Sequence, residues 1–181
     1  MKGVVFNLLE TLVTRDHGPD AWDDLIDAAG VDGAYTTLGS YPDEELVALV
    51  GAASEALSLT RTEIVKWFGR SSMPLFATSH PHFFEGHTET RSFLLTLNDM
   101  IHPEVRKLYP GADVPDFDYE TPGDGRLLMH YRSARKMCAF AEGLIEGAAM
   151  HFGEQVVIAQ PECMHRGDER CVLDIGLAQA T

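Results

Sequence analysis

The run Tyr131-Arg132-Ser133-Ala134-Arg135 sets a phenol, a hydroxyl and a guanidinium close together in the chain. Read as a strand running into a helix, it puts Tyr131 and Ser133 on one face at the two-residue period of a strand. Arg135 then falls in the first helical turn. Such a cluster is a receptor for carboxylates. The guanidinium gives a charged, two-pronged pair, the hydroxyls add polar partners, and a helix start favours negative charge. The same residues also read as an ordinary N-cap with a surface arginine and a half-buried tyrosine. His102 is the second candidate. Pro103 follows it and disfavours the αR conformation, which predicts an imidazole held where a helix breaks, flanked by Met100 and Ile101. An imidazole in an apolar setting is the usual axial ligand of haem iron. With eight histidines in the chain, a plain core or surface histidine is the competing reading. The third candidate is the set Cys138, Cys163 and Cys171. Three thiolates supply most of a tetrahedral zinc site where they converge, and are otherwise reduced, partly buried cysteines. Their spacing matches no standard zinc knuckle. His165 lies in the turn between Cys163 and Cys171. His80, His82 and His87, beside Phe83 and Phe84, read as packing or surface residues.

These side chains need elements to hold them. The first two-thirds of the chain has helical periodicity. One helix follows the apolar opening through Glu10–Arg15, and a second runs Asp20–Ala29 with Gly30 as its stop. A third starts at Tyr41-Pro42-Asp43-Glu44-Glu45, with proline and acids in its first turn. A fourth, capped by Thr62, carries Ile64, Val65, Trp67 and Phe68. A fifth is expected over Thr90–Ile101, with Phe93, Leu94, Leu97, Met100 and Ile101 on its apolar side. From Pro110 onward, proline and glycine bracket short extended pieces. Strands are expected at Asp116–Glu120 (an edge), Arg126–Tyr131, Gln155–Ala159 and Cys171–Leu177. Ser133 is expected to cap a long helix, Ala134–Phe152, with Gly143 and Gly147 on one face for close packing. The fold class is therefore α+β: a helical N-terminal part, about 1–60, packed on a remainder that ends in an antiparallel sheet, about 110–181.

The 181 residues fit one domain, and a 45% hydrophobic fraction is enough for a packed core. Lys plus Arg number 14 and Asp plus Glu 28, a net charge of −14. That charge argues against nucleic acid and against an anionic membrane surface. No apolar run reaches the length of a bilayer span. The opening residues lack an export signal, and an odd cysteine count fits a cytoplasmic chain without a disulfide framework. No nucleophile elbow, P-loop, zinc-protease helix or dinucleotide fingerprint is present, so an enzyme is not expected.

Taken together, Met1-Lys2-Gly3, Trp22, Asn98-Asp99-Met100-Ile101-His102, Lys107-Leu108, Pro115, Tyr131-x-Ser133-x-Arg135 and Gly143-Leu144-Ile145-Glu146-Gly147 resemble the haem nitric oxide/oxygen-binding (H-NOX) domains of bacteria. These are related to the sensor domain of soluble guanylate cyclase. The resemblance covers almost the whole chain. It implies haem b enclosed between the two parts, with His102 as proximal iron ligand. It further implies that Tyr131, Ser133 and Arg135 bind the propionates and that Pro115 distorts the haem. Oxygen-binding members carry a distal tyrosine at the position of Phe140, which has no hydroxyl to donate. Val5, Leu9, Pro74, Phe140 and Leu144 are the expected apolar wall. The resemblance thus implies a nitric oxide sensor, also open to carbon monoxide, that excludes oxygen.

Signalling is expected through weakening of the iron–His102 bond. With the chain ending at Thr181, the expected partner is a separate protein, a histidine kinase or a diguanylate cyclase/phosphodiesterase. Many members have a zinc site of cysteines and a histidine, which Cys138, Cys163 and Cys171 match, while Gln160 stands where the histidine is usual. Zinc, and a zinc/thiol redox sensor acting on the same kind of partner, form the alternative reading. The net charge implies an acidic partner-facing surface, or one on which a small basic island of Arg132 and Lys136 stands out.

Overall fold

The computed structural model describes residues 1–179. Four N-terminal helices come first: α1 (Gly3–His17), α2 (Ala21–Ala29), α3 (Asp43–Leu57) and α4 (Arg61–Ser79). Short helices α5 (Thr90–Leu94) and α6 (His102–Leu108) follow. Strands β1 (Asp116–Glu120) and β2 (Leu127–Arg132) precede α7 (Cys138–His151), and β3 (Glu154–Glu162) and β4 (Cys171–Gln179) complete an antiparallel sheet of order β1-β2-β4-β3. The α+β class expected from the sequence is what the chain forms, with β1 at an edge as its pattern indicated.

Two apolar clusters form the core. In the first, Phe6, Leu9, Leu12, Leu49, Ile64 and Phe68 pack α1, α3 and α4 together. In the second, Met129, Tyr131, Ile145, Ala148, Leu173 and Ile175 join the inner face of the sheet to α7. The alternation of β2 sends Leu127, Met129 and Tyr131 inward. Helix α4 serves both clusters, giving Phe68 to one and Met73 to the other.

Helices α4 and α7 touch backbone to backbone and run parallel. A Cβ at Gly143 would collide with the Lys66 carbonyl oxygen, one at Gly69 with the Phe140 carbonyl, and one at Gly147 with Arg70 O and Met73 Cβ. Pro74 lies inside α4 and has no N–H for the Arg70 carbonyl. Gly147 packs against that same oxygen. Lys66 closes the edge of the contact, its Nζ lying 3.1 Å from Glu142 and 2.8 Å from Glu146.

Several local expectations need correction. The fourth helix starts from Thr60, not Thr62, because Thr60 forms a capping box with Glu63 at the third helical position. The helix expected over Thr90–Ile101 is broken after Leu94 and resumes as a π-turn, Leu97–Ile101, that feeds into α6. The wider turn rotates Met100 outward to 40% exposure, so it leaves the apolar side assigned to it. Helix α7 begins at Cys138, not Ala134, and Ser133 does not cap it. Lys136 has φ of 51° and the Met137 N–H bonds to the Tyr131 hydroxyl, so residues 133–137 form a turn that delays the helix.

Candidate functional site

His102 is the first residue of α6 and directly follows the π-turn. Its φ and ψ are −64° and −39°. The expectation that Pro103 would drive it out of αR is thus corrected. Proline cannot donate to the carbonyl a turn earlier and its ring crowds that oxygen. The chain answers by widening the preceding turn, where both Met100 and Ile101 N–H groups reach the Thr96 carbonyl. π-Turns of this kind recur at functional positions.

The His102 ring lies against Phe117, with centroids 5.5 Å apart and planes at 28°. Phe117 in turn touches Tyr131, at a centroid distance of 5.8 Å. Asn98 on the π-turn donates to the Phe117 carbonyl at 2.5 Å and so ties β1 to the turn that carries the histidine. The His102 Nδ1 is buried with no hydrogen-bond partner. Burial, helped by the Arg106 charge and opposed by Asp116, lowers the imidazole pKa from 6.5 to about 4. The ring is therefore neutral at physiological pH, the form in which histidine binds metals.

Tyr131 is buried at the end of β2 on the inner face. Burial raises its pKa and keeps the phenol protonated. Its hydroxyl accepts the Met137 N–H at 2.9 Å. Ser133 Oγ accepts the Arg135 N–H at 3.3 Å within the same turn. Arg135 sits in this turn, outside the helix expected to hold it. Its Nε donates to Asp43 Oδ2 at 2.7 Å, and Nη1 donates to both the carbonyl oxygen and Oδ2 of Asp113, each at 2.8 Å. The guanidinium is already a carboxylate binder in this fold. Asp43 also takes the Met1 α-amino group at 2.5 Å. Burial acts to raise the Asp43 pKa, but the α-amino group and Arg135 outweigh it and hold the carboxyl below its usual range.

Of the expected apolar wall, Val5, Leu9 and Phe140 share the first cluster, where Phe140 meets Phe68 at 4.9 Å between centroids. Leu144 packs on the second cluster from the same helix as Phe140. Pro74 is exposed. Pro115 is half-buried immediately before β1, two residues from Phe117. A cavity of about 240 Å³ lies between α1, α2, α3 and α4, and of the five expected wall residues only Leu9 lines it. Sequence reasoning missed Phe117, Asn98 as a tether, and Asp43 and Asp113 as partners of Arg135. The alternation in Asp-Phe-Asp-Tyr-Glu was a usable signal for Phe117. The Asp43 contact, which spans 92 residues, had none.

The three cysteines do converge. Their Sγ atoms all lie within 4.8 Å of one another and all three residues are buried. Cys163 Sγ is 3.9 Å from both Cys138 and Cys171. Burial pushes the Cys171 thiol up to about 12 and raises Cys138 as well. His165 is exposed, and its Nε2 contacts the Lys136 carbonyl at 2.7 Å. Arg132 pairs with Asp118 at 2.9 Å, which leaves Lys136 as the freer of the two cations in the expected basic island.

Residues 2–160 match the family described as haem-NO-binding. The chain belongs to the haem-NO-binding (H-NOX) family. It is similar to an H-NOX protein from S. oneidensis solved in the Fe(II)NO ligation state, at 32% identity over 99% of this chain and 100% of that one, with a TM-score of 0.91. The Shewanella oneidensis domain solved in the Fe(II)CO state is likewise 32% identical, covering 98% of this chain and 99% of that one at a TM-score of 0.88. The Fe(II) unliganded H-NOX protein from K. algicida is 25% identical, covering 99% of this chain and 97% of that one at a TM-score of 0.87. No helix of this H-NOX chain, among the described residues, is long and apolar enough to cross a membrane.

Proposed function

We propose that this H-NOX chain is a cytoplasmic, non-enzymatic gas sensor that holds haem b, responds to nitric oxide and carbon monoxide, and excludes oxygen. The observation that carries the reading is the half-buried, neutral His102, whose Nδ1 is buried with no partner on the protein. An orphaned imidazole nitrogen in an apolar setting is costly unless something binds it. The rest of the donor set supports the same group. Arg135 already binds carboxylates through two nitrogens, Ser133 lies on the same turn, and Tyr131 reaches that turn from the end of β2 through the Met137 N–H. Two propionates call for such donors.

Haem, when bound here, would supply a ferrous iron that takes a diatomic gas. In this reading His102 would hold the iron, Tyr131, Ser133 and Arg135 would hold the propionates, and Pro115 would contact the ring. Val5, Leu9, Pro74, Phe140 and Leu144 form the apolar wall. Phe140 has no hydroxyl, so it leaves polarised oxygen without a donor. A signal needs two states of the protein that ligation stabilises unequally. His102 starts α6 and touches Phe117 of β1. A change in its bonding therefore acts on the helix and the sheet edge together. The output is a change of surface read by a separate partner, a histidine kinase or a diguanylate cyclase/phosphodiesterase.

Visible spectra of the purified ferrous protein test this. Nitric oxide and carbon monoxide should each shift the spectrum, and air should give no reversible change. A reversible spectral change in air removes the oxygen-excluding part of the reading. His102→Gly should lose haem and regain it when imidazole is supplied. A variant that keeps normal ligand-dependent control of its partner removes His102 as the trigger. A second reading, a zinc/thiol redox sensor of the same kind of partner, is favoured by the convergence of Cys138, Cys163 and Cys171. A redox response in protein without haem would support it.

A further inference from the structure

His130 does not fit the plain alternation of β2. That strand turns Leu127, Met129 and Tyr131 to the core, which puts His130 on the opposite, outer face of the sheet. It is nevertheless only 4% exposed. Neither ring nitrogen has a hydrogen-bond partner among the described residues. Nε2 lies 3.0 Å from Glu120 Oε1, close enough for a hydrogen bond but not directed along one. A buried polar ring left in this state is costly unless a ligand takes it up. The surroundings are acidic. The sequence Asp-Phe-Asp-Tyr-Glu of β1 buries Phe117 and leaves Asp116, Asp118 and Glu120 exposed on the outer face. In the antiparallel register Asp118 stands directly opposite His130, and Glu120, opposite Leu128, is a diagonal neighbour. Charges on an edge strand discourage pairing with other chains. That accounts for the exposed acids and leaves the buried, unpartnered histidine among them unexplained.

We infer that His130, Glu120 and Asp118 form a site on the outer face of the sheet for a divalent cation of octahedral habit, such as Mn(II). Two ligands at right angles, each about 2.1 Å from a metal, stand about 3.0 Å apart. His130 Nε2 and Glu120 Oε1 have that separation. An approach that close and yet off the hydrogen-bond line is the relation of two neighbours on one metal. Asp118 supplies the third ligand. Its Oδ2 accepts from Arg132 Nη1 at 2.9 Å, which holds the carboxylate and leaves Oδ1 for the cation. On the other flank β4 sets the buried Val172 opposite His130, an apolar wall to the site. Water fills the remaining positions on the exposed side. A neutral imidazole and two carboxylates balance the two positive charges, and nitrogen and oxygen donors of this kind suit Mn(II) better than thiols do. The cation ties β1 to β2, and β1 is the strand that holds Phe117 against His102.

Titration of Mn(II) into the purified, reduced full chain, with diamagnetic ferrous–carbonyl haem bound, tests the site by electron paramagnetic resonance. The signal of free Mn(II) should fall until one ion per chain is bound, and the bound ion should show coupling to an imidazole nitrogen. His130→Gln should abolish that coupling. Glu120→Gln and Asp118→Asn change exposed side chains, so the fold is kept, and each should weaken binding by more than about 10-fold, beyond the least effect of removing an outer-shell partner. Asp23→Asn, on the exposed face of α2, should leave it unchanged. In amide NMR spectra the ion should broaden residues 117–120 and 128–132 first. Saturation that persists unchanged in Glu120→Gln overturns the assignment. So does broadening centred on another part of the chain, bound Mn(II) without nitrogen coupling, or no saturable uptake below millimolar Mn(II).

Discussion

His102 and Phe117 lie nearly face to face, on elements separated in sequence by a loop and joined by the hydrogen bond from Asn98 to the Phe117 carbonyl. The ring of Phe117 fills the space beside the imidazole and shields it from water. Replacing Phe117 by alanine removes a buried aromatic side chain and should cost about 3–5 kcal/mol of stability. Urea unfolding measures it. Phe117→Leu should recover most of the loss, and equal losses in both variants would mean that shape, not burial, matters here.

The same contact makes the cofactor-free protein acid-sensitive. The folded His102 pKa, about 4, lies below the ordinary 6.5. The unfolded chain therefore binds more protons between these values. The stability at stake is fully present above about pH 6.5 and is lost as pH falls towards 4. The whole effect is about 3 kcal/mol, from ~1.4 kcal/mol per pH unit of separation. Unfolding free energies at pH 7 and pH 4.5 check it against His102→Gln, in which this part of the slope should vanish. An unchanged slope would locate the acid sensitivity elsewhere.

Gly143 faces the Lys66 carbonyl with no room for a methyl group. Gly143→Ala should destabilise the protein by about 1–3 kcal/mol, the usual range for overpacking. Gly153, with φ of 68° and open space around its Cα, is a control of a different kind. There the cost of alanine comes from the backbone conformation alone. Thermal melts of the two variants should show the larger drop for Gly143.

Asp43 and Arg135 are separated by most of the chain, yet meet at 2.7 Å. The Asp43 side chain is 41% exposed, so solvent screens the pair. A double-mutant cycle with Asp43→Asn and Arg135→Gln should give a coupling of about 1 kcal/mol or less, falling as salt is added. Because the folded Asp43 pKa is depressed, the contribution holds above the ordinary carboxylate range and fades as pH drops through the folded value. A coupling that does not respond to salt would show a drier contact than the exposure implies.

Helix α4 should lose about 1 kcal/mol on Thr60→Ala, because the capping box supplies the hydroxyl for the Glu63 N–H. Urea unfolding of this variant beside Thr62→Ala separates the cap seen in the structure from the one expected from the sequence.

Much of the fold was legible because its elements have strong periods. The two-residue alternation of β1 and β2 and the apolar faces of α3 and α7 needed no tertiary information. The start of α7 did not follow the same rule. Ser133 is a good capping residue, but the Tyr131 hydroxyl takes the Met137 N–H and Lys136 turns left-handed, and that competition is decided in three dimensions. The break after Leu94 was hidden for a related reason, since a π-turn has the composition of any helix. Type and spacing made Tyr131-x-Ser133-x-Arg135 and His102 candidates beside plainer readings, and it was the family resemblance that gave them roles. Asp43 and Asp113 could not, because nothing in their neighbourhoods marks them as partners of Arg135.

The contact between α4 and α7 limits how the molecule can change shape. With Gly69, Gly143 and Gly147 seated on opposing carbonyls, neither helix can creep along the other by a fraction of a turn. A slide would have to cover a whole repeat of about 5.4 Å before small residues met oxygens again. The pair is thus a single girder running through both apolar clusters. Any flexing between them is left to the Ser133–Met137 turn and to the widened turn before His102, where the backbone is not gripped in this way.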